Sequence, residues 1–109
     1  MKKIIGVCAC PAGIAHTYMA AESLEKYAKK AGYQVKIETN GAGGVENRLS
    51  EDDIKNADVV IIAADTTVET DRFIGKPLIE ASVTEAIRNV GNIFKKIENN
   101  DVEIFKGGK

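Results

Sequence analysis

Val59-Val60-Ile61-Ile62-Ala63-Ala64 is an unbroken apolar run, the pattern of a strand whose two faces are both covered, as in a parallel sheet. Upstream, Ser50 with Asp53 three positions later forms a capping-box signature for a short helix ending near Ala57. Before it, Gly41-Ala42-Gly43-Gly44 reads as a flexible loop and Gln34 to Thr39 as a strand. Further back, Ala20, Leu24, Tyr27, Ala28 and Ala31 recur at helical spacing, with Lys29 and Lys30 at the negative end of the helix dipole and Gly32 as C-cap. Lys3 to Ala9 is a buried strand, rich in Ile and Val and ended by Pro11 and Gly13.

Downstream of the apolar run, Asp65 to Lys76 reads as a loop with one helical turn, and Pro77 to Ala81 as a short fourth strand. Ser82-x-x-Glu85 then opens a last helix carrying Val83, Ala86, Ile87, Val90, Ile93, Phe94 and Ile97. Strands alternating with helices predict an α/β fold: one small doubly wound domain, a four-stranded parallel sheet of order 2-1-3-4 and helices on both faces. Residues 1–98 make up that domain, and 99–109, polar and glycine-rich at the end, read as a frayed tail or a linker into a larger polypeptide.

Fifteen Lys and Arg against sixteen Asp and Glu give a net charge of −1, without the basic surplus that phosphate-backbone binding requires, so nucleic acid is not an expected partner. The longest uncharged stretch, Ile4 to Ala21, is interrupted by Gly6, Pro11, Gly13 and His16 and falls short of the roughly 20 apolar residues of a membrane span. With no signal-peptide pattern at the amino end, a cytoplasmic location is expected. Cys8 and Cys10, too close along an extended segment to pair, are expected to be thiols.

In such a fold, ligands bind beyond the carboxyl ends of the strands, where the connections after neighbouring strands diverge. Cys10 falls there. The loop Pro11, Ala12, Gly13, Ile14, Ala15, His16 and Thr17 runs from strand to helix N-terminus, so its amides and the helix dipole suit an oxyanion. The same field lowers a thiol pKa from about 8.5 by about one unit, which makes Cys10 the candidate nucleophile. His16 is either a further cation for the phosphate or an ordinary helix-start residue. Cys8, inside the strand, reads as structural, and no cysteine or histidine cluster completes a metal site. A phosphatase loop would have Arg where His16 stands, and no Asp-Pro dipeptide supplies its general acid. A phosphatase-like or phosphate-sensing domain is the alternative reading.

The segment from Ala9 through Cys10 to Thr17, together with Glu38-Thr39-Asn40-Gly41, Gly44-Val45-Glu46-Asn47, Ala63-Ala64-Asp65, Arg72-Phe73 and Gly75-Lys76, resembles the cytoplasmic IIB component of the bacterial sugar phosphotransferase system, fructose family. The resemblance implies that Cys10 accepts a phosphoryl group from a phosphohistidine of a IIA partner. It also implies that Cys10 passes the group to a sugar entering through a membrane IIC partner, which would hold the chain at the inner face of the membrane. No cofactor is implied. At Ala12 the family commonly has Thr, so the phosphate contact there falls to backbone amides. Asp65 and Arg72 either dock a partner or support the loop, or are a turn residue and a solvated charge.

Overall fold

The computed structural model describes residues 2–9, 14–41, 44–66, 68, 70–99 and 101–106. Its elements run β1 (Lys3–Ala9), α1 (Ile14–Lys30), β2 (Gln34–Gly41), β3 (Gly44–Glu46), α2 (Glu51–Lys55), β4 (Val59–Ala64), a single 3-10 turn (Asp71–Phe73), β5 (Leu78–Ala81), α3 (Val83–Arg88) and α4 (Val90–Glu98). The sheet order is β3-β2-β1-β4-β5. Within it β2, β1, β4 and β5 are parallel neighbours in the expected 2-1-3-4 order.

The sheet therefore has five strands rather than four. The added one is β3, which pairs antiparallel to β2 through Thr39↔Glu46, Asn40↔Val45 and Gly41↔Gly44. The expected loop from Gly41 to Gly44 thus overlaps strand on both sides, and β3 carries no strand signal because it is short, exposed throughout and without alternation. Glycine suits the left-handed φ of 106° at Gly44. The expected last helix is likewise two helices. Asn89, at φ −126° and ψ 35°, ends α3 and precedes α4, while the apolar periodicity carries on across the break.

Capping follows the sequence closely. Ser50 and Ser82 each accept from the backbone three residues on, and the Asp53 and Glu85 carboxylates return the bond. Gly32, at φ 87°, closes α1 as Tyr33 N–H reaches Ala28 O and Gly32 N–H reaches Lys29 O, a Schellman end that only glycine enters without strain. Ala31, expected on the apolar face, is exposed because it lies in this closing turn.

The β1 side chains alternate between two packed layers. Ile4 and Cys8 join Ala20, Leu24, Ala28, Ile93, Phe94 and Ile97 beneath α1, α3 and α4. Tyr27 and Tyr33 pack on the Phe94 ring at centroid distances of 4.7 and 6.1 Å. Ile5 and Val7 join Leu49, Val60, Ile62 and Phe73 on the opposite face. Gly6 sits where a Cβ would lie 2.8 Å from Ile61 O and 2.9 Å from Ile37 Cδ1, so close approach of strand and side chain dictates glycine. Asp53 of α2 binds Lys36 at 2.7 Å and Lys3 at 3.4 Å, fastening the helix over β1 and β2.

Residues 101–106, read from the sequence as tail or linker, run back along β5. Leu78 N–H donates to Glu103 O, Gly75 N–H to Phe105 O and Phe105 N–H to Lys76 O. Val102 and Phe105 pack against the two cores. No helix among the described residues is long and apolar enough to cross a membrane.

Candidate functional site at the carboxyl end of the sheet

β1 lies between β2 and β4, and its last residue, Ala9, is level with Asn40 and Ala64. The connections leaving β1 and β4 serve opposite faces, which is the switch point where α/β sheets hold ligands. Cys10, Pro11, Ala12 and Gly13 lie outside the described residues. On their carboxyl side α1 begins at Ile14, so its first-turn amides lack intrahelical acceptors and carry the positive end of the dipole. No acidic residue stands in that first turn.

Among the loop residues that are described, Ala15 and His16 are exposed. Thr17 is fully buried, and among the described residues its Oγ1 finds no hydrogen-bond partner. His16 lines a cavity of about 240 Å³ with Met19, Asp65, Thr84, Ile87 and Arg88. The Tyr18 hydroxyl donates to Glu46 Oε1 across from β3. That hydrogen bond, with lesser contributions from desolvation and the Glu46 charge, raises the phenol above its ordinary pKa.

Asp65 stands beside the last residue of β1. Its N–H donates to Ala9 O at 3.0 Å, and its Oδ1 accepts the Val83 N–H at 3.1 Å. One residue thus ties the end of β1 to the start of α3, with a carboxylate at a helix N-terminus where the dipole favours it.

Arg72 is not a solvated charge. Its guanidinium grips Glu38 with two bonds, Nη1 to Oε1 at 3.0 Å and Nη2 to Oε2 at 2.6 Å, and lies over the Phe73 ring. The Arg72 and Glu38 side chains are only 17% and 2% exposed. Glu38 Oε1 also accepts the Leu49 N–H at 2.9 Å. Burial pushes the Glu38 carboxyl up, but the Arg72 hydrogen bonds, the Leu49 amide and the charges of Arg72 and Arg48 outweigh it, so the net shift is downward. Glu38 is a site-region residue that the sequence did not single out. The signal was a carboxylate inside a strand whose next residues, Ile37 and Thr39, are also buried.

Cys8 is fully buried, and desolvation, with a smaller contribution from Glu25, pushes its thiol up to about 12. At neutral pH it is protonated and inert. Among the described residues no group of His, Cys, Asp and Glu is arranged to hold a metal ion.

Comparison with known proteins agrees with this architecture. A family model described as "PTS system, Lactose/Cellobiose specific IIB subunit" matches residues 5–96. The PTS system fructose-like EIIB component 2 of Escherichia coli K12 is 46% identical over 99 residues, covering 90% of this chain and 93% of the relative. The fructose-specific EIIABC component of Bacillus subtilis is 44% identical over 105 residues, 96% of this chain, which spans only 16% of that relative's length. A crystal structure of a domain from the fructose-specific IIABC component of Borrelia burgdorferi superposes with a TM-score of 0.90 at 47% identity, covering 95% of this chain and 98% of that domain. The matched relatives and the superposed domain carry fructose names along nearly the whole fold, and with the family match they establish that the chain belongs to the IIB family of the sugar phosphotransferase system, in its fructose-type branch, and so to the machinery of phosphoryl transfer in sugar transport.

Proposed function

We propose that Cys10 is the phosphoryl carrier of this IIB domain. A phosphohistidine on a IIA partner is the donor: the Cys10 thiolate attacks phosphorus, an S–P bond forms and the N–P bond to histidine breaks. A sugar hydroxyl then attacks the phosphocysteine, its proton passes to a base or to water, and the thiolate leaves. Acceptor sugars are of the fructose type and arrive through a membrane IIC partner, which would keep the chain at the inner, cytoplasmic face of the membrane.

The observation that carries this reading is where β1 ends and α1 begins, on either side of residues 10–13 in the chain. Those residues join a strand ending at Ala9, flanked on both sides by parallel strands, to a helix whose free amides begin at Ile14. Residues 10–17 accordingly form the phosphate cradle, with backbone amides from Ala12 onward and the helix dipole carrying most of the charge stabilisation. His16, exposed in the first helical turn, adds a cation for the phosphate when protonated. The buried state of Cys8 supports the choice between the two thiols.

Intact-mass spectra after incubation with a phosphorylated IIA protein test the assignment. Cys10→Ser should take up no phosphate, and Cys8→Ser should retain most of the uptake. Phosphate on the Cys10 variant would show that another residue is the carrier. With p-nitrophenyl phosphate, turnover should be negligible. Cys10-dependent hydrolysis at about 1 s⁻¹ or faster, in the ordinary enzyme range, would favour the phosphatase reading.

A further inference from the structure

Glu38 and Arg72 form a charge pair laid across the root of the strand that leads into Cys10. Glu38 is level with Val7 on β1, two residues before Ala9, and its side chain points to the same face as Val7. Arg72 arrives from the far side of β1, in the turn that follows β4, beside the fully buried Phe73. To meet Glu38 it has to span the β1 face near Val7 and Ala9. The Leu49 amide bonds the same carboxylate and brings in the segment before α2. Three chain segments are thus fastened to one carboxylate beneath the place where β1 ends.

Stability does not account for this arrangement. Replacing a buried ion pair by apolar residues of similar volume is commonly neutral or stabilising, because desolvation of both charges offsets their attraction. The surrounding layer is apolar, with Ile5, Val7, Val60, Ile62 and Phe73, so a hydrocarbon pair would pack there as readily. What the ions add is direction. A bidentate guanidinium–carboxylate pair fixes distance and plane together, which apolar packing does not.

We infer that Glu38 and Arg72 are positioning residues for transfer at Cys10, acting through the end of β1 and the adjoining loops and without touching the phosphoryl group. The inference rests on the reading of Cys10 as the carrier. It assigns the cost of the buried charges to the alignment of the loop rather than to the stability of the fold.

Three variants test it: Arg72→Lys, which keeps the charge but loses the fork; Glu38→Gln, which keeps the shape but loses the charge; and the apolar pair Glu38→Met with Arg72→Met. Melting temperature, kcat and KM for phosphate uptake from the phosphorylated IIA donor, and the pH midpoint of Cys10 alkylation by iodoacetamide are read for each. The apolar pair should melt close to the parent, yet take up phosphate about tenfold more slowly or worse in kcat, with KM little changed, since small misplacements cost this much. Its Cys10 midpoint should rise toward the free value of about 8.5. Arg72→Lys should show the same loss, and if the apolar pair does not fold, this variant decides.

Folded variants with the parent's kcat and midpoint would overturn the inference, as would a kcat that merely follows the melting temperature. A parent midpoint already near 8.5 would overturn it too, there being no alignment to lose. Should the parent take up no phosphate at all, the carrier reading fails. The alkylation midpoints of parent and variants still judge the positioning on their own.

Discussion

On the face of the sheet beneath α1, α3 and α4, the buried set is hydrocarbon and aromatic almost throughout: Ile4, Leu24, Ala28, Ile37, Ile61, Ile93, Phe94 and Ile97. On the opposite face Ile5, Val7, Val60 and Phe73 share the layer with Arg72–Glu38, and Asp53 holds Lys3 and Lys36 at its margin. Apolar burial is non-directional and scales with area, whereas paired charges contribute little net energy but fix geometry. The helical face is therefore where the fold gains most of its free energy. The other face is where the loops at the carboxyl end are aimed.

Perturbing the first face should have the largest effect. Phe94 is fully buried and carries both Tyr27 and Tyr33 on its ring, so Phe94→Ala should lower stability by about 3–5 kcal/mol in urea titration. A loss under about 1 kcal/mol would mean that this core relaxes into the space. On the second face, Arg72→Ala leaves the Glu38 carboxylate buried and unpaired and should cost about 3 kcal/mol. Adding Glu38→Met to Arg72→Met should recover most of that loss. If the double change is as damaging as the single one, the two faces do not differ in the way described.

Acid sharpens the same contrast. Glu38 and Asp53 both lie below their ordinary values, Asp53 chiefly through its hydrogen bonds to Lys36 and Ser50. With the folded carboxyl depressed, the unfolded chain binds the proton first as pH falls. Stability is thus fully present above about pH 5 and declines as pH drops through about 4 and below. In Glu38→Gln with Asp53→Asn the decline should be shallower between about pH 5 and 2 in melting curves, whatever the starting stability. Cys8 acts at the other end of the scale: with its thiol raised to about 12, stability should fall as pH climbs beyond 9 toward 12.

The smallest expected effects are at the caps. Ser82→Ala removes the acceptor for Glu85 N–H at the start of α3, on the helical face, and should cost about 1 kcal/mol. Ser50→Ala, at the start of α2 on the polar face, should cost about the same. Ser50→Ala should also disturb the α2 amides more in hydrogen exchange, because α2 has no buried residue to hold it and its Asp53 is shared with the cap and two lysines.

What was legible in the sequence was whatever local chemistry dictates. The apolar run Val59–Ala64, the boxes at Ser50 and Ser82 and the glycine stop at Gly32 each carry their own signal, and together they imply the order of the parallel strands. β3 carried none, since Gly44, Val45 and Glu46 become a strand only through pairing with β2. The division at Asn89 was hidden by an apolar periodicity that continues across it. At the site, the strand-loop-helix grammar around Cys10 was readable, but the partners of Arg72 and Asp65 were not. Glu38 is 34 residues from Arg72 along the chain, and no local pattern announces a contact at that distance.

The strip of chain from Asp101 to Lys106 has a consequence for the solution behaviour of this domain. An outer strand with free N–H and C=O groups is a template for another chain, and proteins guard such edges. Here Glu103 and Phe105 occupy the backbone groups of Gly75, Lys76 and Leu78, while Glu80 places an exposed charge further along the same strand. A version ended after Glu98 would uncover that edge together with the apolar surface now under Val102 and Phe105. Its failing would be self-association at high concentration rather than a lost activity, and fusions or truncations meant to keep the domain monomeric should retain the residues through Lys106.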